Sequence, residues 1–302
     1  MFEHLKVWMN GEVVPWNQAT VHVMSHSFSR GSAMFDVFGI HPGPNGPVAF
    51  RMDKHLDRLF RSAKLLGFEM AYSRDEVAKA VAELVNANNI GRGLAKILAY
   101  YSEEAVISLV MDSKLDLAVF AIPETDELGL DKADPISICL SKWRKLHPAT
   151  VPVEAKACAN YLNGALSRKD AVERGFDLAI MLTTDGYVAE GAIESIFMVK
   201  DGVLKTPSRG NILQSVTRKS ILEAAPAIGI ETSEEQITPD ELMAADELFT
   251  CHTGIKVTPV KKIEDRIFGE VPGPVTAKIS KLMKDICKFR DDRFKDWFQP
   301  LG

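Results

Sequence analysis

Lys156 stands in VEAKACANYLNGA, a stretch of small residues that ends in Asn160-Tyr161-Leu162. Glu190 follows in YVAEGAIESIF, after the turn-forming TTDGY. A lysine amine attacks carbonyl carbon and forms a Schiff base, provided that burial or a neighbouring cation keeps it neutral. Tyr161 adds a hydroxyl near the lysine, and Glu190 adds a carboxylate beside Gly191. That set suits a bound aromatic cofactor, because a carboxylate facing a protonated ring nitrogen keeps the ring cationic and able to withdraw electrons from a carbanion. Taken singly, Lys156 also reads as a solvated loop lysine, Glu190 as a turn acid and Cys158 as a small packing residue.

A phosphate group asks for backbone N–H donors at a helix start, hydroxyls and an arginine. Val216-Thr217-Arg218 falls where a helix begins, and Thr253-Gly254 at a turn between strands. Arg51 closes the apolar run GPVAF. Each is a common surface feature when alone.

The elements that must position these groups alternate strand and helix signals. VWMNGEVVP predicts a hairpin around Asn10-Gly11. DKHLDRLFRSAKLLGF predicts a helix with Asp53 as N-cap, Gly67 as stop and Leu56, Leu59, Phe60, Ala63 and Leu66 inward. A second helix opens at Ser73 with Glu76 completing a capping box, and turns Val77, Ala80, Val81, Leu84 and Val85 inward. LAKILAYY, AVISLVM and LDLAVFAIP predict strands, as does ISICLSKW. YLNGALSRKDAVERG predicts a helix buried on Leu162, Ala165, Leu166 and Val172. DLAIMLTTDGYVAEG and SIFMVKDGVLKTP predict hairpins at Asp-Gly turns. VTRKSILEAAPAIGI predicts a helix, Thr238-Pro239-Asp240-Glu241 a capping box, and VTAKISKLMKDICKF a closing helix. DELFTCHTGIKVTPV predicts strands joined at His252-Thr253-Gly254. The Pro- and acid-rich PETDELGLDKADP has little to bury and predicts a linker at 123–135.

The chain has 302 residues, 46% hydrophobic and 25% charged, enough for two domains that each bury a core. A net charge of −5 argues against nucleic-acid or anionic-membrane partners. No run approaches the length of a membrane-spanning helix, and the start lacks the pattern of a signal peptide, so the expectation is cytoplasmic. Cys139, Cys158, Cys251 and Cys287 show no CxxC spacing, which predicts free thiols and no metal site.

Several strings occur in one order: FRMDKHLDRLFRSAKLLGF, KACANYLNGAL, GYVAEGAIESIFMVKDGVLKTP, ILQSVTRKSIL and ADELFTCHTGIKVTPV. Together they resemble the class IV (fold type IV) aminotransferases dependent on pyridoxal 5'-phosphate (PLP), nearest in pattern to the branched-chain amino acid aminotransferases. The resemblance implies a mixed α/β (α+β) chain: a smaller N-terminal α/β domain at 1–122, the linker at 123–135, and a larger, barrel-like PLP-binding α/β domain at 136–302. It implies Lys156 as the Schiff-base lysine and proton shuttle, Tyr161 on the cofactor's phenolic oxygen and Glu190 on its ring nitrogen. It implies Leu213 against the ring, and Arg51, Val216, Thr217 and Thr253 around the phosphate. The implied reaction is ping-pong transamination from an amino acid, a branched-chain-like L-amino acid favoured, to a 2-oxo acid such as 2-oxoglutarate. A homodimer or higher homo-oligomer is implied too.

Departures from the pattern concentrate in substrate recognition. Where the family reads close to HYGxxxFEGIR, this chain has FSRGSAMFDVFGI, with Arg30 at the tyrosine position, Asp36 at the acid, Val37 at the glycine and Gly39 at the arginine. Leu94 and Lys96 stand where a tyrosine and an arginine are usual, His252 replaces a glycine and Ser195 an asparagine. Arg30 or Lys96 is the candidate partner of a substrate carboxylate, with Phe35 and Gly254 completing the substrate-facing set; both cations also read as solvated. These departures leave open a D-amino acid aminotransferase, an (R)-selective amine transaminase, an aminodeoxychorismate lyase, and a non-catalytic PLP-binding protein. A Rossmann dehydrogenase is excluded, as no GxGxxG follows a first strand.

Overall fold

Along LAKILAY, buried Ala95, Ile97 and Ala99 alternate with half-buried Leu94, Lys96 and Leu98. That period of two makes a strand with one face in a core and the other on a partly open surface. The computed structural model describes residues 2–126 and 128–302; Met1 and Glu127, the latter inside the expected linker, lie outside the described residues. The chain divides into two compact units. One comprises Met1–Leu130, Ala155–Ala159 and Asp292–Gly302; the other comprises Asp131–Glu154 and Asn160–Asp291.

The first unit holds strands β1 (Lys6–Met9), β2 (Glu12–Pro15), β3 (Met34–Gly43), β4 (Gly46–Phe50), β5 (Gly93–Tyr100) and β6 (Asp116–Pro123). Its helices are α1 (His26–Arg30), α2 (Met52–Leu66) and α3 (Arg74–Ala87). The C-terminal strand Phe298–Pro300 pairs with β4 at one sheet edge, and the order continues β4-β3-β5-β6-β1-β2. Asn10 takes a positive φ of 50°, which the hairpin turn at Asn10-Gly11 requires. α2 and α3 cover one face, burying Leu56, Leu59, Val77, Val81 and Leu84 against Phe38, Ile97 and Leu117.

Two expectations fail in this unit. The N-cap of α2 is Arg51, in the left-handed region at φ 53°, and Asp53 lies within the first turn. AVISLVM forms no strand; Val106, Ile107, Leu109 and Val110 are exposed. Its apolar, β-branched composition mimics a strand, but neighbouring β5 and β6 already pair with each other and leave it no edge.

The second unit holds β7 (Ile136–Arg144), β8 (Leu178–Leu182), β9 (Ser195–Lys200), β10 (Val203–Pro207), β11 (Thr232–Glu235), β12 (Glu247–Cys251), β13 (Thr258–Ile263) and β14 (Arg266–Ile267). Its helices are α4 (Tyr161–Glu173), α5 (Val216–Ala224), α6 (Pro239–Met243) and α7 (Pro274–Cys287). The sheet runs β11-β10-β9-β12-β13-β7-β8, with β14 on β13. Parallel pairs such as β7–β8 and antiparallel pairs such as β9–β10 share this sheet, so this unit is mixed α/β. After TTDGY the return strand shrinks to a bridge between Leu182 and Val188.

α4 turns the opposite face inward from that expected. It buries Gly164, Ser167, Asp170 and Ala171, and leaves Leu162, Ala165 and Val172 exposed. The reason is close approach: a Cβ on Gly164 would stand 2.7 Å from the Ala192 carbonyl oxygen. Asp170 then accepts the Lys142 N–H at 2.9 Å, so the buried stripe is small and polar rather than apolar. Among the described residues no helix is long and apolar enough to cross a membrane.

Candidate active site

The expected site residues fall in both units, and each set is described within its own. In the first, residues 155–159 extend the sheet: Phe35 N donates to Lys156 O at 3.1 Å and Cys158 N to Ala33 O at 2.8 Å. The Lys156 N–H itself donates to Ser62 Oγ of α2 at 3.0 Å. The backbone of Lys156 is thus fixed on both sides, by a strand and by a helix. Its Nζ lies 4.7 Å from the centroid of the Phe35 ring. Lys96 Nζ lies 5.2 Å from the same ring, so two expected site cations share one aromatic surface.

The β3–β5 register explains that meeting. Phe35 pairs with Leu98, Val37 with Lys96 and Gly39 with Leu94, so these residues line one face of the sheet. Asp36 points to the other face. It is fully buried and receives Arg58 through Nε at 2.8 Å and Nη2 at 2.7 Å, with His55 Nδ1 at 2.7 Å. Burial pushes the Asp36 carboxyl pKa up, but the Arg58 and His55 charges and hydrogen bonds outweigh it and hold the group well below the usual carboxylate range. Asp36 therefore ties β3 to α2 and does not face Phe35. At Gly39, a Cβ would stand 2.7 Å from His41 Nε2, so the imidazole fills the space beside the glycine.

Arg30 is exposed, and its Nη2 donates to Val106 O at 2.9 Å, tying α1 to the segment before β6. Arg51 is buried and stacks over Trp297, 4.4 Å from the ring centroid. Burial raises the pKa of the Cys158 thiol despite the opposing charges of Lys96 and Lys156, which disfavours the thiolate.

In the second unit Tyr161 opens α4. Glu190 is buried, and its Oε1 accepts the Leu213 N–H at 3.1 Å and pairs with Lys145 Nζ at 2.7 Å. Lys145 was not among the sequence candidates; only the return of the chain along β8 brings it to Glu190. α5 begins at Val216, capped by the Ser215 hydroxyl, which accepts from Arg218 N at 3.2 Å. Val216 and Thr217 are buried in its first turn, where N–H groups precede any intrahelical acceptor. Arg218 turns away to Thr206, Pro207 O and Glu234.

The 252–256 loop is internally wired. His252 Nδ1 accepts the Gly254 N–H at 3.2 Å, and the Lys256 ammonium donates to Thr253 O. Burial lowers the His252 pKa, against the opposing pull of Glu194. Glu194 also pairs with Arg168 and folds over Gly191, where a Cβ would meet its Oε2 at 2.6 Å. Hence glycine follows Glu190.

The amino-transferase class IV family matches residues 33–263. The chain is 33% identical over 293 residues to a branched-chain-amino-acid aminotransferase of Pseudomonas aeruginosa, covering 96% of this chain and 95% of the relative. It is 34% identical over 279 residues to that of Escherichia coli K12, covering 91% and 90%. Among solved structures, a branched-chain aminotransferase of Thermoproteus uzoniensis with norvaline superposes at a TM-score of 0.93 and 34% identity, covering 99% of each chain. That of Thermobaculum terrenum in its PLP form gives 0.90 at 30% identity over 98% of each. The antiparallel sheet of the first unit, the mixed sheet of the second and this agreement over nearly the whole chain have one reading: the protein belongs to the class IV aminotransferases, PLP-dependent enzymes of fold type IV.

Proposed function

We propose that this enzyme moves an amino group from a branched-chain-like L-amino acid to a 2-oxo acid such as 2-oxoglutarate, as a homodimer and by ping-pong kinetics. The observation that carries the substrate reading is the face of β3 and β5: Phe35, Val37, Leu94 and Leu98 offer apolar contact around Lys96. An aliphatic side chain of the donor suits the former, and the γ-carboxylate of 2-oxoglutarate suits the latter.

The donor set supports PLP. Glu190 Oε1 is engaged by Lys145 and Leu213, while among the described residues Oε2 takes neither, which suits a ring N–H. The start of α5 at Val216 and Thr217 suits a phosphate, and the family resemblance adds Thr253 and Arg51 as its proposed partners. When bound, PLP supplies a carbonyl for the substrate amine and a ring that withdraws electrons from the substrate carbon. Lys156 Nζ would take the proton from that carbon and return it one position along, as general base and then acid. The fixed backbone of Lys156, held by Phe35 N–H and Ser62 Oγ, limits the motion of that amine. The Tyr161 hydroxyl would orient the phenolic oxygen, and Leu213 would pack on the ring.

The test is a donor panel with 2-oxoglutarate. L-leucine, L-valine and L-isoleucine are expected to react. A preference for D-amino acids or (R)-amines, or pyruvate release without an acceptor, would replace this reading. Lys156→Ala is expected to lower turnover by at least about a hundredfold, the scale of a lost proton-transfer group. It should also abolish the borohydride-stable attachment of PLP seen by mass spectrometry.

A further inference from the structure

We propose that Lys145 is a positioning residue for the cofactor end of the site, acting through Glu190. The inference rests on the reading of Glu190 as the partner of the ring nitrogen. Lys145 lies just past β7, where its N–H donates to Leu182 O at 2.8 Å. Glu190 is fixed to the same strand end: Met181 N donates to Glu190 O at 3.0 Å, and Ala189 N to Met181 O at 2.9 Å. Both residues therefore take their place from the last residues of β8, and their side chains meet at 2.7 Å.

The pair is largely out of solvent, with 11% of the Lys145 side chain and 9% of that of Glu190 exposed. A buried carboxylate without a partner is costly, and removing one member of such a pair is destabilising. Lys145 compensates the charge of Glu190 whether or not a ring is present. It also acts on one oxygen. Oε1 takes both Lys145 and the Leu213 N–H, which fixes the carboxylate plane and turns Oε2 to the remaining side. An oriented acceptor loses less freedom when a ring N–H arrives. Ordinary orientation by backbone donors would leave Lys145 dispensable; its approach to the same oxygen as Leu213 argues for a shared clamp.

The experiment titrates purified apoprotein with PLP, following intrinsic tryptophan fluorescence and the visible absorption of the bound cofactor. Lys145→Met is expected to weaken PLP binding about tenfold, the order seen when a group that orients a ligand's partner is lost. Lys145→Arg should restore most of that affinity. In a Glu190→Gln background, Lys145→Met should add less than about twofold, since coupled groups are not additive. Unchanged or tighter binding by Lys145→Met, or a loss that persists in full beside Glu190→Gln, would overturn the proposal. Should Lys145→Met fail to fold, Lys145→Gln against Lys145→Arg carries the same comparison. Glu190→Gln binding PLP as tightly as wild type, with an unchanged spectrum, would instead remove Glu190 from the ring nitrogen and the inference with it.

Discussion

Adjacent side chains on a strand leave on opposite faces, and Phe35 and Asp36 divide between the open face and the core in that way. Asp36, Arg58 and His55 form a buried charged cluster whose members are all held by one another. Asp36→Asn removes the buried carboxylate charge that Arg58 and His55 face and is expected to cost about 3–5 kcal/mol, measured by urea unfolding. The pH dependence has a definite sign. The folded-state pKa of Asp36 lies below its unfolded value, so its contribution is complete above the unfolded pKa of about 4 and is lost as pH falls toward the folded value. The stability gap between wild type and Asp36→Asn should be constant from about pH 7 to 5 and narrow below about pH 4; a gap that widens in acid would contradict the assignment. Lys96 has a subtler task. Lys96→Ala is expected to raise the KM for 2-oxoglutarate about tenfold while leaving pyruvate nearly unchanged, the loss of one charge contact. Equal effects on both acceptors would remove Lys96 from the γ-carboxylate.

Elements show which signals a sequence carries. Ser73–Glu76 and Thr238–Glu241 form reciprocal capping boxes as expected, because donor and acceptor lie within one helical turn. The cap of α7 is of another kind. Its N-cap, Gly273, has no side chain, and Glu247 on β12 accepts Val275 N at 2.9 Å and Thr276 N at 2.7 Å. A Cβ at Gly273 would meet Glu247 Cδ at 2.4 Å, so the glycine makes room for a carboxylate from another strand. Glu247→Ala is expected to cost about 1–2 kcal/mol in thermal or urea unfolding, the upper range for a cap that also complements the helix dipole. A cost indistinguishable from that of an exposed substitution would mean water replaces the cap. The partners lie 28 residues apart, and no local pattern announces them. The same limit explains the misread face of α4 and the missed Lys145, whose roles come from Ala192 and Glu190 folding back from further along the chain. Helix spans, Asp-Gly turns and the order of the motifs were legible because each is written within a few residues.

At the scale of the molecule, the first unit carries apolar surface that its own fold leaves uncovered. Val106 is 72%, Ile107 85% and Val110 81% exposed, and Phe28 on α1 is 72% exposed. Ala105 N donates to Met24 O at 3.1 Å and His26 N to Glu103 O at 2.8 Å, so the two segments form one continuous surface. A cavity of about 270 Å³ opens beside it, lined by Val21, Phe28, Leu98, Tyr100 and Phe120. Its polar tip, Tyr100 Oη, is buried, which pushes the phenol pKa up to about 12 and keeps the wall neutral. Soluble monomers rarely expose a contiguous patch of this kind, whereas a two-fold interface covers the same patch on both copies. The prediction is a dimer in sedimentation equilibrium at micromolar concentration. Because a two-fold contact uses each substituted residue twice, Ile107→Asp is expected to weaken dimerisation by about a hundredfold or more. Val172→Asp, on the exposed face of α4, serves as the control of equal chemistry and should leave dimerisation unchanged. A wild type that sediments as a monomer, or an Ile107→Asp protein that remains as dimeric as the control, would show that this surface serves something other than a second copy of the chain.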